Sequence, residues 1–505
     1  MPATIQSAAL VGIDASPVDV EADIAQGLPN FVIVGLPDAS VQESKERIKT
    51  ALKNGGLPFP RTRITVNLAP ADIKKEGPSY DLPIAVAILE ASGAVPRHKN
   101  PNRLFVGELA LDGSVRPVAG VLSIALMASE RGIDELYVPK ENAGEATLAS
   151  GVRVFAISSL SQLIAHFTRA EIIQQSEPRP LPELLQARTE ADFASVVGQH
   201  QAKRALEIAA AGGHNVLLSG PPGSGKTVLT RALPSILPAM TKEEMLEVTK
   251  IASASGIIKA GAVMTERPFR SPHHTASGVA LIGGGSFPKP GEVTLAHRGV
   301  LFLDEFPEFP RSALENLRQP LEDGFVTISR ASGTVRLPAK FMLVAAQNPC
   351  PCGFATDPDQ LCSCNPAQVA KYGRKISGPL LDRIDLHVEV PKVDVGRLLA
   401  GSEEESSAVI RQRVQSARDR QYARLKKHGI FTNAEMSHAM LKKLCPLPPD
   451  ADSLLVAAAN RLKLSARAAV RVIKLARTIA DLDGQDGILA THVAEAIHYR
   501  ERRGN

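Results

Sequence analysis

A glycine-rich segment near the middle of the chain constrains the fold more than any other feature. It reads GPPGSGKT, follows the apolar run NVLL and precedes VLTRAL, which favours a helix. A strand, a glycine-rich turn and a helix in this order form a loop whose backbone N–H groups surround phosphate. The segment therefore predicts a nucleotide-binding α/β core with a buried parallel sheet. Its residues are candidate ATP-binding groups: Gly220, Pro221, Pro222, Gly223, Ser224, Gly225, Lys226 and Thr227.

The last two residues of this loop and the end of a second apolar strand predict a catalytic centre. We expect Lys226 to reach the β- and γ-phosphates of ATP and the Thr227 hydroxyl to coordinate Mg²⁺. The run VLFL ends in Asp304 and Glu305. Ligands of open α/β sheets bind at the carboxyl ends of the strands. Asp304 is therefore expected to hold Mg²⁺, and Glu305 to polarise the attacking water.

A third strand is predicted over Met342–Gln347 and ends in Asn348. An amide at that position can orient the attacking water beside the γ-phosphate. The alternative is an ordinary turn residue, because Asn is common where strands end.

Three stretches beyond the glycine-rich loop carry a family resemblance: GEVTLAHRGVLFLDE, AAQNPCPCG and ISGPLLDRIDL. They resemble the magnesium-chelatase-like branch of the AAA+ ATPases, and within it the ComM/YifB family of bacterial DNA helicases of natural transformation and recombination. The resemblance covers nearly the whole chain. It implies that Asn348 is sensor 1, Arg383 an arginine finger acting on a neighbouring subunit's ATP, and Arg467 sensor 2. Arg374 and Arg471 are the competing arginines.

The pattern of apolar runs and breakers divides the chain into an α/β multidomain protein. Residues 1–168 are predicted to form an α/β domain, and 169–190 a linker, since QQSEPRPLPELL carries three prolines and several charges. Residues 191–392 are predicted to form the ATPase core. Long helix-period segments without convincing strands predict a helical lid domain over 393–505.

Two segments of the N-terminal domain, DIKKEGPSYDLPIAVAIL and LDGSVRPVAGVLSIALMASERG, resemble the proteolytic domain of Lon, which uses a Ser–Lys dyad. Ser79 falls at the nucleophile, but Leu122 stands where the lysine is expected. A Ser hydroxyl needs an adjacent base to become a nucleophile. Lys74 and Lys75 are too close in sequence to be assumed substitutes. We therefore expect a Lon-like fold without peptidase activity.

The cysteines point to a metal site and to a reducing compartment. Five cysteines in 505 residues form no disulfide framework, which favours the cytoplasm. Four of them follow the pattern CxC-x₉-CxC, which suits a structural zinc ion. A reduced loop without metal and a redox-sensitive disulfide are the alternatives. These cysteines are Cys350, Cys352, Cys362 and Cys364; Cys445 is expected to be a small buried residue.

The basic surplus of the chain lies near its C-terminus. The net charge is +5, with 58 basic and 53 acidic residues. Residues 401–505 hold 18 basic and 12 acidic residues, so the preceding 400 are close to neutral. One predicted helix carries a cluster of cations that suits DNA phosphates, and a solvated helix face is the alternative. The cluster comprises Arg411, Arg413, Arg418, Arg420, Arg424, Lys426 and Lys427.

A Gly-, Pro- and His-rich stretch, Phe269–Glu292, lies between the loop lysine and the acidic pair. The family resemblance implies that it includes the helix-2 insertion, which projects toward the pore of a ring. His273 and His274 are expected to pack or form hydrogen bonds rather than bind metal. Further candidate phosphate contacts are Lys259, Arg267, Arg270 and Lys289.

Together these features predict an ATP-driven DNA helicase or translocase that works as a homo-oligomeric ring, most simply a hexamer. No apolar run is long enough to span a membrane and no signal peptide is recognisable, so we expect a cytoplasmic protein. The rival functions are a MoxR-like protein-remodelling ATPase and a Lon-type peptidase. A chelatase motor subunit shares the ATPase core, but a Lon-like N-terminal domain is not expected there.

Overall fold

The computed structural model describes residues 2–97, 100–178, 191–285, 289–330, 333–393 and 404–500. They form two compact units. The first comprises Met1–Gln186 and Lys242–Thr265, and the second comprises Ala187–Thr241 and Glu266–Asn505. The segment Lys242–Thr265, which the sequence places inside the predicted ATPase core, thus packs with the N-terminal residues. From residue 179 onward, the predicted linker lies outside the described residues.

The first unit is built on a seven-stranded mixed sheet in the order β3-β4-β2-β1-β5-β8-β9. Strand β2 pairs antiparallel with β1 and β4, whereas β3–β4, β1–β5, β5–β8 and β8–β9 are parallel. A separate ribbon joins β6 and β7. The strands are β1 (Ala3–Val11), β2 (Asp14–Ala25), β3 (Asn30–Val34), β4 (Arg63–Ala69), β5 (Arg103–Phe105), β6 (Glu108–Leu109), β7 (Val115–Arg116), β8 (Glu135–Pro139) and β9 (Arg153–Ile157).

The core of this unit surrounds the helix Asp81–Ala91, which is buried on every face along almost its whole length. An all-round apolar helix is stable only in such an interior. Its buried Asp81 accepts hydrogen bonds from Arg47 Nε at 2.7 Å and from Leu109 N at 3.1 Å, which satisfies the charge. The helices of the unit are Ala39–Asn54, Asp81–Ala91, Val121–Glu130, Ala143–Ala146, Leu160–Phe167 and Lys242–Ala254.

The helix Lys242–Ala254 belongs to this unit because of its apolar face. Met245, Val248 and Ile251 are buried. The N–H group of Gly120 donates to Ser253 O at 3.2 Å and to Ser253 Oγ at 3.1 Å. Gly120 is the N-cap residue of the helix Val121–Glu130, so Ser253 satisfies a donor at a helix terminus.

The second unit is built on a five-stranded parallel sheet in the order β11-β14-β17-β10-β18. The strands are β10 (Val216–Ser219), β11 (Phe269–Arg270), β14 (Val300–Leu303), β17 (Met342–Gln347) and β18 (Leu386–Glu389). All four residues of β14 are buried, as expected for a sheet covered on both faces. Since β17 lies between β10 and β14, the residues that follow these three strands meet at one sheet edge.

Two small antiparallel ribbons accompany this sheet: β12 (Gly283–Gly284) with β13 (Lys289–Pro290), and β15 (Phe325–Arg330) with β16 (Gly333–Pro338). The helices of this part are His200–Gly212, Lys226–Ala232, Gly278–Ile282, Glu292–Leu295, Arg311–Glu315, Arg318–Asp323, Pro366–Gly373 and Gly378–Leu381.

Residues 404–500 are helical, as the sequence predicts, and contain no strand. Their buried apolar side chains join the same core as those of β10 and β17. The helices are Ser407–Leu425, His438–Leu444, Pro449–Leu462, Ala466–Leu482 and Ala490–His498. Across the described ranges, none of the helices combines the length and apolarity needed to cross a bilayer.

Candidate nucleotide-binding site

The glycine-rich loop lies between β10 and the helix Lys226–Ala232, the strand–loop–helix context that its sequence requires. At two positions the conformation of this loop requires glycine. A Cβ atom at Gly220 would lie 2.1 Å from Val390 O, so no side chain fits there. Gly225 has φ of 90°, a left-handed conformation that other residues rarely adopt.

Lys226, the first residue of the helix that follows this loop, is hydrogen-bonded back to the loop. Its Nζ donates to Gly220 O at 2.7 Å, to Pro221 O at 2.9 Å and to Asn348 Oδ1 at 3.3 Å. Burial lowers the pKa of Lys226, and the charge of Asp304 partly opposes that shift. The ammonium group therefore sits within reach of the loop and of Asn348, which follows β17.

Thr227 and Asp304 come together although 77 positions separate them in the sequence. Thr227 Oγ1 donates to Asp304 Oδ2 at 2.8 Å, and Asp304 Oδ1 accepts from Glu305 N at 2.9 Å. A hydroxyl and a carboxylate side by side supply the hard oxygen ligands that Mg²⁺ prefers. The donor set thus fits the magnesium ion that accompanies a nucleotide.

Glu305 has an unusual backbone and a histidine partner. Its φ is 52°, a left-handed conformation that costs free energy for a residue with a Cβ atom and that clusters at active sites. His274 Nδ1 lies 2.9 Å from Glu305 Oε2. The His273 ring packs against the His274 ring with centroids 4.1 Å apart and an interplanar angle of 34°, and His273 Nδ1 contacts Thr275 Oγ1 at 2.9 Å. The two histidines therefore serve hydrogen bonding and packing, as the sequence predicts.

Gln199 supports the loop from outside the motif. Its Nε2 donates to Ser224 O at 3.1 Å and to Pro391 O at 2.6 Å, and its φ is 56°. These contacts fasten the glycine-rich loop to the segment that follows β18. Gln199 was not predicted as a site residue. The dipeptide Gly198-Gln199, placed just before the helix His200–Gly212, is the only local signal for it.

The candidate arginine finger and the candidate sensor 2 lie together. Arg383 Nη2 and Arg467 Nη2 contact opposite oxygens of Glu322, the latter at 3.2 Å. Arg383 also donates to Pro379 O at 2.7 Å. Burial lowers the pKa of Arg383, and nearby arginines, including Arg467, add to that shift. The Arg383 guanidinium is therefore paired with Glu322 beside Arg467, and its side-chain hydrogen bonds among the described residues go to Pro379 and Glu322, not to the glycine-rich loop of its own chain.

The two competing arginines differ sharply in their surroundings. Arg471 Nη1 pairs with Asp385 Oδ1 at 2.6 Å and donates to Arg383 O at 3.1 Å. Burial disfavours the charged form of Asp385, but Arg471 and His214 outweigh it and hold the pKa of that carboxyl well below its usual range. Arg471 is thus an internal ion-pair partner, whereas Arg374 is exposed.

The structure corrects the prediction for part of the basic lid helix. Arg418 is buried and donates to Ala210 O at 2.9 Å and Ala211 O at 3.0 Å, so its guanidinium is unavailable to phosphate. Three further arginines of the cluster bind acidic side chains: Arg413 with Glu207 at 2.6 Å, Arg420 with Asp486 at 3.0 Å and Arg424 with Asp481 at 2.6 Å.

The rest of that cluster faces solvent. Lys426 and Lys427 are exposed and Arg411 is partly exposed. Lys426 Nζ lies 5.9 Å from the centroid of the Tyr422 ring, a cation–π contact that still leaves its ammonium accessible. Among the described residues, no ion pair engages Arg411 or Lys427.

The four other candidate phosphate contacts, named with the segment Phe269–Glu292, also fall into two groups: two arginines with partners inside the protein and two exposed lysines. Arg270 forms a bidentate pair with Glu292 at 2.7 and 2.8 Å. Arg267 donates to Pro238 O and Arg298 O, both at 2.8 Å. The side chains of these two arginines therefore form hydrogen bonds within the protein that stabilise the fold. Two lysines are exposed, Lys289 on β13 and Lys259, which belongs to the first unit.

The Ser–Lys dyad position in the first unit carries no base. Leu122 is fully buried. The Lys75 ammonium donates to Pro70 O, and burial lowers the pKa of Lys75. Ser79 lies in a short 3₁₀ turn, Pro78–Tyr80.

A parallel sheet with a glycine-rich phosphate loop after β10, an acidic pair after β14 and an asparagine after β17, followed by a helical lid, defines an AAA+ nucleotide-binding protein. Three family models match the chain. Residues 192–398 match "magnesium chelatase, subunit ChlI", 20–142 match "subunit ChlI of Mg-chelatase" and 404–500 match "magnesium chelatase, subunit ChlI C-terminal". The chain belongs to the ComM/YifB family of magnesium-chelatase-like proteins.

Curated relatives agree with this assignment over the full length. YifB of Salmonella typhimurium is 43% identical over 500 residues, covering 99% of this chain and 97% of that protein. Competence protein ComM of Haemophilus influenzae is 42% identical over 506 residues, with the same coverage. Lon protease 1 of Sorangium cellulosum is 25% identical over 175 residues, covering 32% of this chain and 21% of that protein.

Proposed function

We propose that this chain is an ATP hydrolase that translocates on DNA as a homo-oligomeric, hexameric ring and remodels branched or duplex DNA in recombination and natural transformation. One observation carries the proposal. Lys226, Thr227, Asp304, Glu305 and Asn348 converge at one edge of the parallel sheet, although they come from three separated segments.

Each of these side chains has a chemical role in phosphoryl transfer. Lys226 would neutralise charge on the β- and γ-phosphates. Thr227 and Asp304 would hold Mg²⁺, which when bound offsets negative charge on the phosphate oxygens. Glu305 would accept a proton from the attacking water, and the Asn348 amide would orient that water.

Assembly into a ring is supported by the position of Arg383. An arginine finger stabilises charge in the transition state and can raise the rate by about 10³–10⁵. Within its own chain Arg383 contacts Pro379 and Glu322, not the glycine-rich loop. A finger arranged in this way would act on the nucleotide of a neighbouring subunit, so that hydrolysis would depend on assembly.

DNA as the partner is supported by the relatives and by surface charge. A full-length relative is a competence protein, ComM. The exposed lysines and the partly exposed Arg411 supply positive charge without base-specific chemistry, which suits binding to the phosphate backbone irrespective of sequence.

The test is ATP hydrolysis by the full chain with and without single-stranded, duplex and four-way-junction DNA, at two salt concentrations. We expect DNA to stimulate hydrolysis, with a strong salt dependence because phosphate contacts release counterions. Lys226→Ala and Glu305→Gln should abolish both hydrolysis and unwinding. Glu308→Gln is a matched control, because that exposed carboxylate pairs with Lys375 at 2.8 Å.

Two outcomes would overturn the proposal. Unwinding retained by either inactive variant would separate remodelling from this site. Hydrolysis that is indifferent to every DNA but stimulated by a protein client would instead favour a MoxR-like remodelling function.

A further inference from the structure

Four cysteine side chains converge in the loop that leads from Asn348 toward Arg383. The Sγ atoms of Cys350 and Cys352 are 3.3 Å apart, those of Cys352 and Cys362 are 3.5 Å apart, and those of Cys350 and Cys362 are 3.7 Å apart. With Cys364 included, all four sulfur atoms lie within 4.8 Å of one another. Cys350 is buried and the other three are partly buried.

We propose that these four residues bind one structural Zn²⁺ ion as tetrahedral thiolate ligands. Zinc–sulfur bonds of about 2.3 Å in a tetrahedron place neighbouring sulfur atoms about 3.8 Å apart. The observed separations are close to that edge length. They are far longer than the S–S bond of about 2.05 Å in a disulfide.

The four thiolate ligands also indicate which metal would bind. Four soft thiolates in tetrahedral array favour zinc or iron–sulfur chemistry. A polynuclear iron–sulfur cluster would spread its cysteines further apart, because the inorganic core lies between them. Four protein ligands leave no open coordination position, so the ion would be structural rather than catalytic.

The position of the loop shows what the ion would stabilise. A Cβ atom at Gly353 would lie 2.7 Å from Pro222 Cδ, so this loop packs directly on the glycine-rich phosphate loop. On its other side, Lys392 Nζ pairs with Asp359 Oδ2 at 3.0 Å, which ties the residues between the two CxC pairs to the segment after β18. Zinc would therefore fix a loop that supports Pro222 and Asn348.

The test is metal analysis of the full chain purified under reducing conditions. We expect one zinc ion per chain in the wild type and in Cys445→Ser, because the buried Cys445 sulfur lies 4.0 Å from Met436 Sδ and does not belong to the four-cysteine cluster. Cys362→Ser and Cys364→Ser should lose most of this zinc. Replacement of zinc by Co²⁺ should give the visible absorption of tetrahedral cobalt with thiolate ligands in the wild type and in Cys445→Ser.

Zinc well below one ion per chain in the wild type, stoichiometric iron in its place, or full zinc retention by Cys362→Ser would each refute the site. If the serine variants fail to fold, mercurial titration of the wild type decides the matter. Modification of four thiols should release the one zinc ion, and failure to do so would overturn the proposal. These readouts do not depend on DNA or on ATP hydrolysis, so they stand apart from the proposed function.

Discussion

Replacing His274 should raise the basal rate of ATP hydrolysis, because its imidazole restrains the carboxylate that we propose as the base. Nδ1 of His274 lies 2.9 Å from Glu305 Oε2. A buried hydrogen bond to a charged group contributes about 1.5–3 kcal/mol. The Glu305 side chain is 56% exposed, so water competes and we reduce this value to about 0.5–1.4 kcal/mol. Since about 1.4 kcal/mol corresponds to tenfold, His274→Ala should hydrolyse ATP about two- to tenfold faster.

The assay is steady-state phosphate release by the full chain at saturating ATP without DNA, with Lys226→Ala as the background. His273→Ala is the matched control. It removes the ring that packs against His274 and the contact with Thr275 but leaves the bond between His274 and Glu305, so its rate should change less than twofold. An unchanged or lower rate for His274→Ala would refute the reasoning, since the imidazole would then position the carboxylate productively.

Three further predictions follow from the lid and its internal ion pairs. Neutralising Lys426 and Lys427 together should weaken duplex binding and reduce the slope of log K against log salt by about 0.9 per lost phosphate contact. Arg418→Ala should leave that slope unchanged but destabilise the fold by about 1–3 kcal/mol, seen as a lower Tm, because the Ala210 carbonyl loses its buried donor. Arg471→Met should lower Tm at pH 7. The difference from the wild type should shrink below about pH 4, because the depressed pKa of Asp385 makes its pairing stabilising above the unfolded pKa and lost as pH falls through the folded pKa.

Features encoded in a short stretch of sequence were the ones that could be predicted. The phosphate loop carries its own strand, turn and helix, so its place after β10 follows from local residues. The buried strand β14 was predicted at its observed bounds, since a four-residue apolar run ending in two acids leaves little choice. In contrast, the long N-terminal strands β1 and β2 were not predicted, because they are rich in alanine and polar residues and depend on pairing with each other.

Contacts between residues that are far apart in the sequence could not be predicted. The bond between His274 and Glu305 joins segments 31 positions apart, and no periodicity relates them. The orientation of the cations on the basic lid helix could not be predicted either. Its cations are spread around the helix, so composition alone did not reveal that Arg418 points into the core. The β15–β16 ribbon was also not predicted, although Phe325–Ile328 is a run of aromatic and β-branched residues.

The inserted segment Lys242–Thr265 has a consequence for how this protein can be dissected. Because it packs with residues of the N-terminal unit, the chain passes between the two units three times, and no single cut separates them. A fragment starting near residue 191 would keep the helix Lys242–Ala254 but expose its apolar face, including Met245, Val248 and Ile251, to water. Such a truncated protein should aggregate, whereas one in which residues 242–265 are replaced by a short polar linker has no such face to expose.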